Sequence, residues 1–384
     1  MARPAVLSVF GVKPFRIGSN ESFARELSRQ LGDRGWNSIQ CFQDAPPDAV
    51  RQFLQLPNVT VQVFEDAPSS GLRPAAHLAK LLRQHRPQIL HLHFTGFLGA
   101  FPWVARACSV GRVFITDQTS RPEGYTLRRA PFWKRSLTRV INQPVTRVMS
   151  VSQYGYDCMT ALDVLPRDRF RMIYNSIELS RVRESEDLGA RFRAKHGIPA
   201  DRPLVVQVSW IIPEKGILDL LEAARLIASR GMKVHFAFVG DGSYRQQYAA
   251  RAAEMGLTDF ITWTGVAQDP FAEGVYAAAD VVCQVSRWEE VFGWTIAEAM
   301  AHRKPLIGTR VGGIPELVTD GVTGFLVERG DAAAMAEKIA LLVESPALRT
   351  QMGLAGRQQV ELKFDLTKNV SRLLDIYGIG SSAE

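Results

Sequence analysis

Short apolar runs rich in β-branched residues alternate with helical periods along almost the whole 384-residue chain, and this alternation leaves few folds open. Ala5-Val-Leu-Ser-Val-Phe10 reads as a first buried strand, followed by a loop ending at Ile17-Gly-Ser19 and a helix from about Glu21 to Leu31. Further strands are expected at Val59–Phe64, Ile89–His93, Val113–Thr116 and Arg147–Val151, with helical stretches such as Ala75–Gln84 among them. A second series begins at Pro203-Leu-Val-Val-Gln-Val208 and continues through Val234–Val239, Phe260–Trp263, Val281–Val285, Pro305–Ile307 and Gly324–Val327. Strands that reach their neighbours through helices make parallel sheets, so the class is α/β with two doubly wound halves. The charge-dense stretch Glu178–Lys195 reads as a linker plus the first helix of the second half, and Phe364 to Tyr377 as a last amphipathic helix.

Composition removes several function classes. No apolar run reaches the ~18 residues a membrane span needs, and the start, Met1-Ala-Arg-Pro, lacks the apolar core of a leader peptide, so a cytoplasmic protein is expected. Cys41, Cys108, Cys158 and Cys283 are far apart, which suggests neither a disulfide framework nor a zinc knuckle. The net charge of +7 is uneven, because residues 1–180 hold 23 Lys/Arg against 13 Asp/Glu and the remainder is slightly acidic. It is densest in Arg121–Arg147, where Arg128, Arg129, Lys134, Arg135 and Arg139 interleave with Leu127, Phe132, Trp133 and Leu137. Such a segment can lie on an anionic membrane or bind an anionic acceptor, or be a solvated helix face. No recognition motif accompanies the charge, so nucleic acid is not an expected partner.

The stretch with most chemistry is Ser286-Arg-Trp-Glu-Glu-Val-Phe-Gly-Trp-Thr-Ile-Ala-Glu-Ala-Met300. It follows a strand, enters a helix and sets two acids, Glu290 and Glu298, eight positions apart. Gly293 stands at the turn, and the amides of Trp294 and Thr295 open the helix, where free N–H groups and the dipole favour an anion. A plainer reading is also available: Thr295-x-x-Glu298 is a capping-box pattern, and Glu290 could be a solvated loop acid. Elsewhere Pro213-Glu-Lys-Gly216 places Lys215 where it can reach an anion, and His91 and His93 point to one face of a strand end. That pair could touch a ligand or a metal, but no third ligand is evident and no metal site is expected.

With Gly312-Gly-Ile-Pro-Glu316 and Asp320-Gly-Val-Thr-Gly-Phe325 following, the Glu-x7-Glu stretch resembles the signature of the retaining glycosyltransferases of family 4. The resemblance runs from Phe10 to about Tyr377 and is most specific from Val285 to Val327. It implies the GT-B fold: two Rossmann-like domains facing a cleft, an acceptor-side domain 1–177 and a nucleotide-sugar-binding domain 178–363, with the C-terminal helix 364–384 crossing back to the first. Ile173-Tyr-Asn-Ser-Ile177 resembles the family's end to the first domain. Glu290 would bind sugar hydroxyls and steady positive charge at the anomeric carbon, Glu298 would take the ribose hydroxyls, and Lys215 with the Trp294 and Thr295 amides would carry the diphosphate. Gly18 stands in the loop expected to face the donor phosphates, Val266 would read the base through its backbone, and a His-x-His such as His91/His93 is expected at the cleft rim. The donor would be a nucleotide-diphospho-sugar, a UDP-sugar by family frequency, the acceptor a hydroxyl, and no separate cofactor or metal is implied.

Two positions depart from the family pattern. Its His at the end of the Val113–Thr116 strand is matched by Gln118, which can hydrogen-bond a hydroxyl but cannot hold a proton at neutral pH. Its Arg before the loop lysine is Trp210, a loss of one charged phosphate donor worth about 1.5–3 kcal/mol. Arg287 is a candidate substitute, and Trp210 a candidate stacking platform. Two alternatives therefore stand beside the transferase: a GT-B phosphorylase or epimerase, and a catalytically silent sugar-nucleotide binder.

Overall fold

The computed structural model describes residues 3–65, 71–94, 96, 99–183 and 185–380. Met1 and Ala2 of the start read above, Glu184 of the linker, and residues 381–384 of the closing segment lie outside the described residues. The chain divides into two units, one of 1–119, 126–175 and 366–384, the other of 120–125 and 176–365. The sequence-based boundary stood at 177/178, and here the units part at 175/176. The passage of 120–125 into the second unit was not foreseen.

The first unit is built on a seven-stranded parallel sheet: β1 (Ala5–Phe10), β2 (Asn37–Phe42), β3 (Val59–Val63), β4 (Ile89–His93), β5 (Arg112–Asp117), β6 (Arg147–Ser150) and β7 (Phe170–Met172), in the order β3-β2-β1-β4-β5-β6-β7. Strands β2 and β7 escaped the sequence reading. In β2, Ser38 and Gln40 break the apolar pattern yet are buried, because Gln40 Nε2 donates to the Ser28 hydroxyl at 2.7 Å and Ser28 donates to Ser38 at 2.7 Å. Polar residues can line a core strand when each finds a partner.

The helix Leu366–Tyr377 belongs to this unit, and Leu366, Val370, Leu373, Leu374 and Tyr377 pack into one core with Val6, Leu27, Ile89, Phe114 and Met149. It starts two residues later than expected, since Phe364 stays with the second unit and accepts a bond from the Ile177 amide at 2.8 Å. Against expectation, His91 and His93 sit in the core rather than at a rim. Both are almost fully buried, His91 bonds the Thr116 hydroxyl at 2.7 Å and the Tyr377 hydroxyl, and His93 stacks on Phe10 at 4.6 Å. Burial holds the His93 imidazole down to about 3 and His91 well below its usual value, so both are neutral at physiological pH, and neither ring nitrogen of His93 has a hydrogen-bond partner among the described residues.

The second unit carries a six-stranded parallel sheet: β8 (Leu204–Val208), β9 (His235–Val239), β10 (Ile261–Gly265), β11 (Val281–Gln284), β12 (Leu306–Thr309) and β13 (Phe325–Val327), ordered β10-β9-β8-β11-β12-β13. The winding reverses between β8 and β11. In such sheets the loops leaving the carboxyl ends of the two strands at the reversal diverge and leave a crevice for a ligand.

Candidate active site

Lys215 and Glu290 emerge from the two strands that flank this reversal. After β8 the chain makes a single tight turn, Pro213–Lys215, and enters the helix Ile217–Ser229 through Gly216, whose φ is 66°. A Cβ on Gly216 would stand 1.9 Å from the Val285 carbonyl oxygen, so only glycine lets this loop lie against the end of β11. The Lys215 carbonyl is fixed by Gln207 Nε2 at 2.8 Å, and its ammonium pairs with Glu290 Oε1 at 2.5 Å.

Glu290 is buried, which overturns its reading as a solvated loop acid. Oε1 also accepts the Ser286 hydroxyl at 2.6 Å, and Oε2 accepts the Ser120 hydroxyl at 3.1 Å. Its backbone oxygen takes the Gly313 amide at 2.7 Å, and a Cβ on Gly312, where φ is 52°, would collide with that oxygen at 2.1 Å. Burial pushes the Glu290 carboxyl up, but the charge and hydrogen bond of Lys215 and the two serine hydroxyls outweigh it and hold the group below its ordinary value. Glu290 is an anion clamped in one orientation.

Gly293, at φ 120°, caps the helix Trp294–Ala301 with no side-chain hydrogen bond. The Thr295 hydroxyl instead donates to the Val208 carbonyl at 2.8 Å, and Glu298 accepts the hydroxyl of the buried Tyr276. The capping box is therefore not formed, and Glu298 has a structural partner of another kind. The Ile296 amide reaches Gln284 Oε1 at 3.3 Å, whereas among the described residues the Trp294 and Thr295 amides have no hydrogen-bond partner. Two free N–H groups at a helix start are a ready anion cradle.

The remaining candidates differ. Val266 is exposed just past β10, and among the described residues neither its amide nor its carbonyl is bonded, as backbone that reads a base requires. Trp210 stands 53% exposed in the loop after β8. Arg287 is already committed: it pairs with Asp219 at 2.9 and 3.1 Å and reaches Glu123 at 3.5 Å, so its charge is shared with two carboxylates. Gly18 and Gln118 lie in the first unit. The Gly18 amide is satisfied by the Glu21 carboxylate at 3.0 Å, an anion where a phosphate was expected. The Oε1 of Gln118 is buried with no hydrogen-bond partner among the described residues, an acceptor open to a hydroxyl. Sequence reasoning missed Ser120, Ser286, Tyr276 and Glu289. Only Ser286, one helical turn of sequence before Glu290, carried a signal.

Comparison with known proteins gives a consistent result. Residues 190–359 match the model described as glycosyl transferases group 1, and residues 21–181 the model described as glycosyltransferase family 4. The chain is 30% identical to the GDP-mannose-dependent α-(1-6)-phosphatidylinositol monomannoside mannosyltransferase of Mycolicibacterium smegmatis over 74% of each chain. It is likewise 30% identical to the α-D-kanosaminyltransferase of Streptomyces kanamyceticus, over 60% of this chain and 59% of that protein. Among solved structures, that of Anabaena HepE in complex with UDP and glucose superposes with a TM-score of 0.77 at 19% identity, covering 97% of this chain and 99% of that one.

Proposed function

Because the chain belongs to the family 4 glycosyltransferases, with their GT-B fold, we propose that it is a retaining enzyme moving a sugar from a nucleotide-diphospho-sugar to a hydroxyl acceptor. The observation that carries this reading is the pair of the half-buried Lys215 with the buried Glu290 at the β8/β11 reversal, on a chain whose next helix offers the unpaired amides of Trp294 and Thr295. In the reaction the bond from the anomeric carbon to the diphosphate oxygen breaks, and a bond to the acceptor oxygen forms on the same face. The acceptor proton passes to a diphosphate oxygen, which leaves as the nucleoside diphosphate. Lys215 and the two amides stabilise the charge that gathers on the leaving diphosphate, the largest catalytic contribution in such sites. Glu290 steadies the positive charge at the anomeric carbon and receives sugar hydroxyls, Glu298 takes the ribose hydroxyls, and the Val266 backbone reads the base. Gln118 offers its open acceptor to a hydroxyl, and Trp210 a stacking face. The positive charge comes from protein groups, so this reading needs no metal and no separate cofactor.

UDP and glucose are named with the HepE structure and GDP-mannose with the mycobacterial relative, so the donor test spans both bases. In a thermal-shift panel of nucleoside diphosphates, one ligand at a hundred times its Kd should add about 2.7 kcal/mol, raising Tm by about 5–10 °C for a unit of this size. Glu298→Ala should remove most of that rise. If it instead lowers the Tm of the free protein and leaves the ligand-induced rise intact, Glu298 serves only Tyr276. Slow hydrolysis of the matching sugar nucleotide separates a transferase from a silent binder, and dependence on added phosphate would identify a phosphorylase.

The proposal includes a peripheral place at an anionic membrane on the cytoplasmic side, supported by the helix Phe132–Ile141 of the first unit. Trp133, Leu137 and Val140 form one exposed stripe with Phe132 beside it, 76% exposed, and Trp103 Nε1 donates to the Val140 carbonyl at 3.1 Å and extends the aromatic surface. No acidic residue lies between Glu123 and Asp157, although Asp163 folds back to pair with Arg129, Arg135 and Arg139. Those hydrogen bonds hold the Asp163 carboxyl at about 2, so it stays anionic and offsets one of the three arginines. Binding to vesicles should therefore combine insertion with charge. Sedimentation with anionic vesicles should weaken only partly with salt, and Phe132→Ser with Trp133→Ser should weaken it about tenfold or more, since an exposed aromatic gains about 1.5–3 kcal/mol on burial. Equal binding to neutral vesicles, or none at low salt, would remove this part of the proposal.

A further inference from the structure

Resting on the transferase reading, we propose that Glu289 is a positioning residue for Glu290, and that it acts by holding the segment 120–125 so that Ser120 fixes the orientation of the Glu290 carboxylate. The segment enters the second unit at Ser120 and leaves it at Tyr125. Glu289 meets it with both backbone and side chain. The Arg121 amide donates to the Glu289 carbonyl at 2.9 Å, and the Glu289 amide donates back at 3.0 Å. Its Oε1 accepts the Gly124 amide at 3.3 Å and pairs with Arg329, while Oε2 accepts the Gly312 amide at 2.8 Å. Arg329 and Arg287 also reach Glu123, at 3.7 and 3.5 Å, and tie the outer side of the segment. Oε1 thus has two protein donors and Oε2 one, and with little of its surface exposed Glu289 is held within the fold rather than presented to a sugar.

Its effect falls on Ser120, the residue before this two-bond bridge, whose hydroxyl donates to Glu290 Oε2. On Glu290, Oε1 already receives Lys215 and Ser286, which accounts for its two lone pairs. Oε2 receives Ser120 and, among the described residues, no second donor, so one direction stays open for a substrate hydroxyl. Ser120 decides which direction that is. A carboxylate free to turn about its last bond would offer the same charge but not the same aim.

The test is a double-mutant cycle on the full-length protein. Ser120→Ala should lower kcat about tenfold, as expected for losing one hydrogen bond to a charged group, with nucleoside diphosphate affinity unchanged. Glu289→Ala should give a similar loss, and the double variant should be no worse than Glu289→Ala alone, since the two act along one path. Glu289→Gln, which keeps an acceptor oxygen for one of the two amides, should restore much of the rate. Independently of any activity, hydrogen exchange at Arg121 and Gly124 should quicken in Glu289→Ala. Additive losses, a parallel fall in nucleotide affinity, or unchanged exchange across 120–125 would overturn the proposal. If the wild-type protein turns over no sugar nucleotide, the transferase reading fails, and the exchange measurement still decides whether Glu289 holds the segment.

Discussion

Replacing Lys215 with alanine should abolish transfer almost completely, at least a hundredfold in kcat/KM, and should destabilise the second unit at neutral pH. Two losses combine. The diphosphate loses a charged donor worth about 1.5–3 kcal/mol, and Glu290 keeps its burial while losing the cation that offsets it. Removing one partner of a buried pair typically costs about 3–5 kcal/mol, and the 20% exposure of the lysine side chain reduces this to about 2–3. The sign with pH follows from Glu290. Its folded pKa is depressed, so its contribution is present above the ordinary carboxylate value and is lost as pH falls through the lowered one. Without Lys215, burial should raise that pKa. The Tm gap between wild type and Lys215→Ala is therefore widest near neutrality and narrows in acid, which a pH series of melting curves would measure. A gap independent of pH would mean that the pair is not what was lost. Unchanged nucleotide affinity and turnover would remove the phosphate assignment, and the catalytic reading with it.

Glu290→Gln should separate chemistry from binding. The amide keeps the size of the side chain and can still accept from Ser286, but it carries no charge to set against a developing oxocarbenium ion. Turnover should fall about 100- to 1,000-fold, the usual range for removing one electrostatic stabiliser of a transition state. Affinity for the nucleoside diphosphate should hold within a few-fold, because Lys215 is then freed toward the phosphates. Steady-state kinetics beside calorimetric titration would measure both. A comparable loss in affinity and in kcat would make Glu290 a general scaffold residue rather than a group acting on the sugar.

What the sequence disclosed, and what it hid, follows physical lines. The alternation of apolar runs with helical periods gave nearly every strand of the second sheet within a residue or two, since a parallel strand is buried on both faces and reads as continuous apolar sequence. Strand β2 was hidden because its polar residues Ser38 and Gln40 hydrogen-bond a serine ten or more positions away, a pairing that no local pattern announces. The same distinction runs through the site. Lys215, Glu290 and the turn at Gly293 stand where glycine and strand ends mark them, and the family signature adds their spacing. Ser120 lies 170 residues from Glu290 and Glu289 looks like a spare surface acid, so their meeting could be found only in three dimensions. The histidines erred in the opposite direction. A His-x-His at a strand end looks chemical in sequence, but His91 is taken up by Thr116 and Tyr377, and His93 is buried against Phe10.

The helix Leu366–Tyr377 also has a consequence for how the protein is made. Most of the first unit leaves the ribosome before the second, yet its core has a gap until Leu373, Leu374 and Tyr377 follow the second unit. At about 5–20 residues per second, the 190 residues of 176–365 take roughly 10–40 s to translate. Throughout that interval Val6, Leu27 and Phe114 lack their final cover, while the second unit, apart from the short 120–125 segment, can fold from contiguous chain. Of the two units, the one whose synthesis starts first is therefore completed last, and a nascent chain stalled near residue 360 would expose an unfinished apolar face to chaperones.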